Sequence, residues 1–530
     1  MMKLSFHFRF FIFLALILSC LHVNGQSVPV GSPVMEDFYR RAQLTGNLDE
    51  SISFTSRPIL NLIQDNNQRL DSFSIKNEKI FYKLMPAIFK QQYNSDHPEG
   101  LNDGAMIPAR GYQTMLSGGI FAKYKWLSIQ FMPEFVFAEN KDYQGFPDEN
   151  WDILWQVYYN DILNRIDIPE RFGKNTYKKA FWGQSSIRLN FGPISIGLSN
   201  ENLWWGPGIQ NALLMTNNAP GFKHLTINTV RPIQTKIGSF EGQIVVGRLD
   251  ASGYPGIDSS RLAQHGVIFK AKPNEWRYLR GIVLTYQPLW VPGLFLGTTA
   301  NSINYHKDPE NKDGLASVFA RWLAVESNME VYLEYGREEK FADFNDIIQE
   351  PTYTRASILG FRKLIPVKNH SNEFIDIHSE LTYFVPNVIT ASRSPGAAVW
   401  YVHPKVRDGY THNGQYLGAG IGTSSNMQSL NISWVKEMKR IGIEFKRVQH
   451  DEGFWNYINY DLRKHWNDVG GAIVGDWDYK HFLFSTRIQL IGSFNYQHYY
   501  DPIPSDPPYY YDKGAIRYNV HAELGVTYLF

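Results

Sequence analysis

The last fourteen residues, Arg517–Phe530 (RYNVHAELGVTYLF), alternate in character along the whole stretch. Tyr518, Val520, Ala522, Leu524, Val526, Tyr528 and Phe530 share one face of an extended chain, and all are apolar or aromatic. Arg517, Asn519, His521, Glu523, Gly525, Thr527 and Leu529 share the other face, which is mostly polar. A period of two belongs to a β-strand. Fourteen residues is long for a strand in a soluble sheet. A strand that crosses a bilayer needs about 9–11 tilted residues, with apolar side chains toward lipid and polar ones toward a lumen. Strands cross a membrane only in a closed barrel, because an open edge would leave backbone groups unpaired in hydrocarbon. This one stretch therefore argues for a barrel, with Phe530 on its lipid side.

The pattern recurs from about Ile80 onward. Leu127, Ile129 and Phe131, continuing through Phe135 and Phe137, take the odd positions. Ile187, Leu189 and Phe191 alternate with Ser186, Arg188 and Asn190, and Met329 to Tyr335 and Ile375 to Tyr383 do the same. Ile441 to Phe445 and Phe482 to Tyr496 extend it toward the terminal strand. The fold class expected is all-β, a transmembrane antiparallel barrel of about 18 strands. Chain ends on one side require an even count. Lys123-Tyr124-Lys125 and Gly192-Pro193 read as short periplasmic turns. Segments near 140–183, 200–223, 250–264, 301–313, 385–415, 450–475 and 499–513 read as long extracellular connections.

The start of the chain points to export. Lys3 and Arg9 precede an apolar run, Phe10–Ser19, that is too short to span a bilayer as a helix. Residues 1–25 read as a signal peptide, cleaved after Gly25, and 26–75 as an N-terminal helical segment ahead of a barrel over 76–530. Ser32-Pro33 with Glu36 and Asp37 reads as a helix start on the periplasmic side. The apolar stripe of Val34, Phe38 and Ala42 reaches Gly46. This helix is expected to pack on the barrel end; a plug inside the lumen is the alternative. The single cysteine, Cys20, falls in the signal. Disulfides, thiolate nucleophiles and cysteine-held metals are thereby excluded from the mature chain. The full chain carries 52 basic and 51 acidic residues, so nucleic acid is not an expected partner. Aromatics at 15% with a mean hydropathy of −0.32 suit a barrel, in which only half of each strand meets lipid.

Catalytic signatures are sparse. No HExxH, GxSxG or GxxxxGK[ST] pattern occurs, and no metal or cofactor is expected. Gly418-Ala419-Gly420-Ile421-Gly422 sits in a strand-like context and reads as a bend or close packing. Asp476-Trp477-Asp478 reads as an exposed acidic turn. Asp376, His378 and Glu380 alternate on one strand face, and would serve a hydrolase only if they met other polar groups at one cleft.

The aromatic loops carry more. Asn200 to Gly208 contains Trp204-Trp205-Gly206-Pro207-Gly208 and leads to Asn217-Asn218-Ala219-Pro220-Gly221. Sugars lay C–H faces on aromatic rings while amides and carboxylates take the hydroxyls. Trp204, Trp205, Asn217 and Asn218 are therefore candidate polysaccharide contacts, as are Tyr499, Tyr500, Tyr509, Tyr510 and Tyr511 on the Pro-stiffened last loop. The bland reading of each is an aromatic cluster that packs its own loop or joins the interfacial girdle.

The run Ser185–Phe222 resembles the Wzi capsule-assembly family of outer-membrane proteins, with Trp-Trp-Gly-Pro-Gly as its specific part. Gly409-Tyr410-Thr411-His412-Asn413-Gly414 and Phe38–Gly46 are also similar to that family. The resemblance implies an 18-stranded barrel with a periplasmic helical segment and a lumen occluded by loops. It also implies a lectin-like protein that holds exported capsular polysaccharide, or another exopolysaccharide, at the cell surface. Outer-membrane lipid and the barrel-insertion machinery would be further partners. A channel for small or hydrophobic solutes is the competing expectation, and a hydrolase the third.

Overall fold

The computed structural model describes residues 28–59, 81–338, 354–370, 372–384, 399–454, 465–499 and 516–530. The strand Phe81–Asn94 pairs with Arg517–Tyr528, setting Ala87 against Tyr528 and Asn94 against His521, and this pairing closes an antiparallel barrel. The ring holds twenty-one strand segments. Three pairs of these are halves of one interrupted strand: Leu127–Phe131 with Glu134–Ala138, Tyr177–Phe181 with Ser186–Phe191, and His224–Thr229 with Ile233–Thr235. Eighteen strands remain. Pro133 and Pro232 stand in two of the breaks, where a residue without an N–H cannot continue the ladder.

The terminal strand behaves as its alternation requires. Tyr518 is 74% exposed on the lipid side, with Val520 and Leu524, while Asn519 and His521 are buried inside. Turns on the side of the chain ends are as short as two residues, at 125–126, 192–193, 437–438 and 480–481. The opposite, extracellular side carries the connections 139–176, 200–223 and 250–276 and the segment 399–425, among others.

Three local expectations need correction. Residues 301–313 are not a long loop: Leu294–Tyr305 and Asp308–Ala324 meet in a hairpin at His306-Lys307. Asp476 and Asp478 lie in the strand Asn467–Tyr479 rather than in a turn, and Asp476 is buried against Arg440 at 2.7 Å. Gly418–Gly422 lies in an inward-folded loop rather than a strand. A Cβ on Gly418 would come within 2.3 Å of the Leu213 carbonyl, so close packing is the reason for glycine there.

The N-terminal helix spans Pro33–Leu44 and seats inside the periplasmic mouth. Ser32 makes no side-chain cap; instead Glu36 accepts from the Gly31 N–H at 3.2 Å. Leu44 packs on Phe295, Leu323 and Leu364 of the wall. The helix is drawn into the lumen because its buried charges find partners only there. Arg40 Nε meets Glu330 at 2.7 Å, Asp37 meets Arg362 at 2.5 Å, and Arg41 donates to the Glu437 carbonyl at 2.9 Å.

Candidate functional site: the lumen plug and the extracellular cap

Residues 200–223 fold inward across the barrel. Trp204–Trp205 pairs with Ser56–Arg57 as a two-stranded sheet within the lumen, which ties this loop to the N-terminal segment. The Arg57 guanidinium lies 4.2 Å from the centre of the Trp204 ring and pairs with Glu36. Trp205 is fully buried, and its Nε1 donates to Gln243 at 2.9 Å. Leu203, Leu213, Leu214, Met215 and Phe222 join Trp400, Tyr401, Tyr410 and Leu417 of the 399–425 segment in one apolar core. Tyr401 fastens the two loops, donating to the Leu213 carbonyl at 2.7 Å and accepting from Ala419 N–H at 2.9 Å.

Wall carboxylates position the turn after the tryptophans. Glu380 accepts from three successive backbone N–H groups, Ile209 at 2.7 Å, Gln210 at 3.0 Å and Asn211 at 2.8 Å, and from the Tyr332 hydroxyl at 2.7 Å. Three converging amides form a nest for a carboxylate. Gly208 allows the tight turn, since a Cβ there would lie 1.8 Å from the Asn211 carbonyl. Asp376 meets Arg362 instead, at 2.5 Å. His378 is buried with neither ring nitrogen partnered. The three alternating residues thus serve separate neighbourhoods and do not converge as a hydrolytic site. Among the described residues no group of three or more His, Cys, Asp or Glu side chains could hold a metal.

The predicted sugar contacts divide three ways. Trp204 and Trp205 have both faces covered inside the lumen. Asn217 donates to the Asn102 carbonyl at 2.7 Å and accepts from Asn202 at 2.6 Å, while Asn218 reaches Tyr416 O at 3.4 Å. Asn217 thus ties the plug to the loop 95–110, and Asn218 ties it to the 399–425 segment. Tyr499 follows a 3-10 turn, Tyr496–His498, on the extracellular side and is half-buried. Tyr500, Tyr509, Tyr510 and Tyr511 lie outside the described residues.

Surface aromatics that the sequence reading did not single out stand on the extracellular cap. Helices Asp152–Val157 and Ser259–Gln264 pack there, with Trp155 stacked on His265 at 4.5 Å. Arg261 binds Asp148 at 2.9 Å and Glu170 at 3.0 Å. Trp151, 51% exposed, stands outward with Ile153, and Phe269 is exposed on the neighbouring loop. Asp148, Glu149 and Asp152 are exposed beside Trp151. The string Phe146-Pro147-Asp148-Glu149-Asn150-Trp151-Asp152 mixes rings and carboxylates, and that mixture was the available signal.

Residues 130–476 match the family model described as capsule assembly protein Wzi. The chain belongs to that family. Among solved structures it is similar to Escherichia coli Wzi, described as a carbohydrate-binding β-barrel involved in group 1 capsule assembly. Identity is 12%, the match covers 96% of this chain and 100% of that one, and the TM-score is 0.61. Pseudomonas aeruginosa OccK8 matches at 8% identity over 84% of this chain and 97% of that one, with a TM-score of 0.40. Among curated protein sequences none is significantly similar. The family, the closed barrel and its apolar belt place the protein in the bacterial outer membrane. No helix among the described residues is long and apolar enough to cross a membrane.

Proposed function

We propose that the protein binds exported capsular polysaccharide or exopolysaccharide at its extracellular face and helps attach it to the cell. It acts by binding, without catalysis, and the polymer does not thread the barrel. One observation carries this reading: residues 200–223 cross the lumen and pack with 399–425 into a continuous apolar core. A lumen filled in this way suits a holder of polymer better than an exporter. The description of Escherichia coli Wzi as carbohydrate-binding lends support.

Tyr499, Tyr500, Tyr509, Tyr510 and Tyr511 supply stacking rings from the last loop, joined by Trp151 and Phe269 on the cap. Asp148, Glu149 and Asp152 are placed to take hydroxyls. Trp204, Trp205, Asn217 and Asn218 serve the same function indirectly, by holding the plug on which the outer loops rest. Lipid surrounds the belt, and the barrel-insertion machinery is a partner during biogenesis. In cells that lack the gene, wild-type protein should restore cell-attached polymer. A variant with alanine at Tyr500, Tyr509, Tyr510 and Tyr511, at equal barrel abundance, should shift polymer from the attached to the shed fraction. An unchanged partition between gene deletion and wild type would sink the proposal.

A further inference from the structure

The apolar plug does not fill the lumen evenly. It packs against the wall built from residues 224–384, whereas the wall from strands Lys439–Gln449, Asn467–Tyr479, Phe482–Phe494, Arg517–Tyr528 and Phe81–Asn94 borders open space. A chamber of about 260 Å³ lies there, faced by Arg440, Glu444, Lys446, Arg487, His521 and Glu523. Its charges are paired across the wall, Arg440 with Asp476 at 2.7 Å and Arg487 with Glu444 at 2.7 Å. A second cavity of about 60 Å³ continues toward the outside and reaches His450 and Asp468, near the extracellular strand ends. A third, of about 40 Å³, continues the other way, to Met35, Leu483 and Thr527 near the periplasmic mouth.

Adjacent cavities share walls, and a lysine bond sits at each junction. Glu99 and Lys446 line both the chamber and the outer cavity, and Lys446 Nζ donates to Glu99 at 2.7 Å. Gly31 and Lys90 line both the chamber and the inner cavity, and Lys90 Nζ donates to the Gly31 carbonyl at 3.0 Å. The chamber and the outer cavity are polar, and the inner one, though mostly apolar, offers Lys90, Ser485 and Thr527 to a water, so the three form a path when their partitions are single side-chain bonds. Glycines keep the wall low, with Gly470 on the outer cavity and Gly525 on the chamber and the inner one.

We infer that this string of cavities is a latched passage for water and small ions along one wall of a barrel otherwise closed to polymer, with Lys446–Glu99 and Lys90–Gly31 as its two latches. Both signs of charge line the chamber and the outer cavity, while Lys90 is the one charged side chain on the inner cavity. The outer and inner cavities are too narrow for a sugar.

Purified full-length protein in planar bilayers tests the assignment, with folding checked by the heat-dependent shift of the barrel on gels. A K90A/K446A variant should conduct severalfold more than wild type and favour cations, because Glu99 then faces the path unpaired. Adding Gly470→Leu should bring it back to the wild-type level. If the double variant does not fold, Lys446→Met alone, which keeps most of the stem, should show the same increase in smaller measure. Equal conductance in wild type and latch variants overturns the inference, and so does a conductance that Gly470→Leu leaves untouched. Polymer retention by the same variants should match wild type, so this result stands apart from that of the binding proposal.

Discussion

At the scale of the residue, the lumen is governed by the cost of burying charge. Glu330 lies between two guanidinium groups, Arg40 on the N-terminal helix and Arg321 on the wall, each at 2.7 Å. Arg321 is held further by Gln43 at 2.8 Å and the Ser53 carbonyl at 3.0 Å. Removing one member of a buried ion pair costs about 3–5 kcal/mol, because its partner stays desolvated. Glu330→Ala should therefore lower the urea midpoint of the barrel in detergent and expose the N-terminal segment to protease, while Glu330→Gln should lose less. A second prediction concerns pH. Burial, with the charge of Glu523 adding to it, pushes the Asp103 carboxyl up to about 6, and burial pushes Asp451 up to about 6 as well. Each binds its proton more tightly folded than unfolded. The stability they supply is full below the unfolded value of about 3.9 and is lost as pH rises through about 6. Glu99 works in the opposite sense. Burial alone would raise it, but the Lys446 charge and hydrogen bond with the charges of His521 and His97 together outweigh burial and hold it at about 2, so its contribution is full above the unfolded value of about 4.3 and is lost as pH falls toward about 2. Amide protection factors in 95–110, corrected for the base-catalysed intrinsic rate, should then be higher at pH 5 than at pH 7.5, and Asp103→Asn should flatten that difference in its own loop. Protection factors that are insensitive to pH across this range would contradict the assignment.

At the scale of the element, the loop 200–223 owes its seat to what it meets on the wall. A Cβ on Gly281 would lie 2.8 Å from the Trp205 ring, so the indole rests directly on the backbone of the strand Arg277–Pro288. Trp205→Ala leaves a cavity worth about 3–5 kcal/mol. The expected outcome is a loosened plug, read as new protease sites within 200–223 in a barrel whose strand content by circular dichroism is unchanged. Resistance equal to wild type would mean that the loop is held by Glu380 and Tyr401 alone. The same contact explains what the sequence made legible. Strands were readable because lipid imposes a period of two on residues such as Ile187 and Leu189, whatever lies inside. Trp204 and Trp205 were not, since a ring in a Gly-Pro loop has the same local sequence whether it faces sugar or Gly281. The hairpin at His306-Lys307 was misread as part of a long loop for a related reason: Asp308-Pro309-Glu310-Asn311-Lys312-Asp313 has no apolar alternation to mark it as a strand.

At the scale of the whole molecule, the sequence made legible a closed barrel with eighteen strands and an outer-membrane address, because closure and lipid contact act on every strand alike. The N-terminal helix was expected on the barrel end, and the structure instead seats it inside the lumen through pairings 290 residues apart in the chain, Arg40 with Glu330. Two bodies joined by the pairing of Ser56–Arg57 with Trp204–Trp205 therefore occupy the lumen, the N-terminal segment below and the 200–223 core above. Their independence can be tested. Deleting residues 28–59 while keeping 1–27 removes Arg40 and Asp37, yet Glu330 retains Arg321 and Arg362 retains Asp376 at 2.5 Å, so the wall keeps its charge balance. The deletion also takes away Ser56 and Arg57, the strand partners of Trp204 and Trp205, but leaves the Glu380 nest and the contact with 399–425. The shortened barrel should conduct small ions more readily than wild type and still exclude sugars in a liposome-swelling assay. Cells that carry it should keep their surface polymer, since the outer loops rest on the upper core. Entry of mono- or disaccharides would show that the upper core depends on the lower plug.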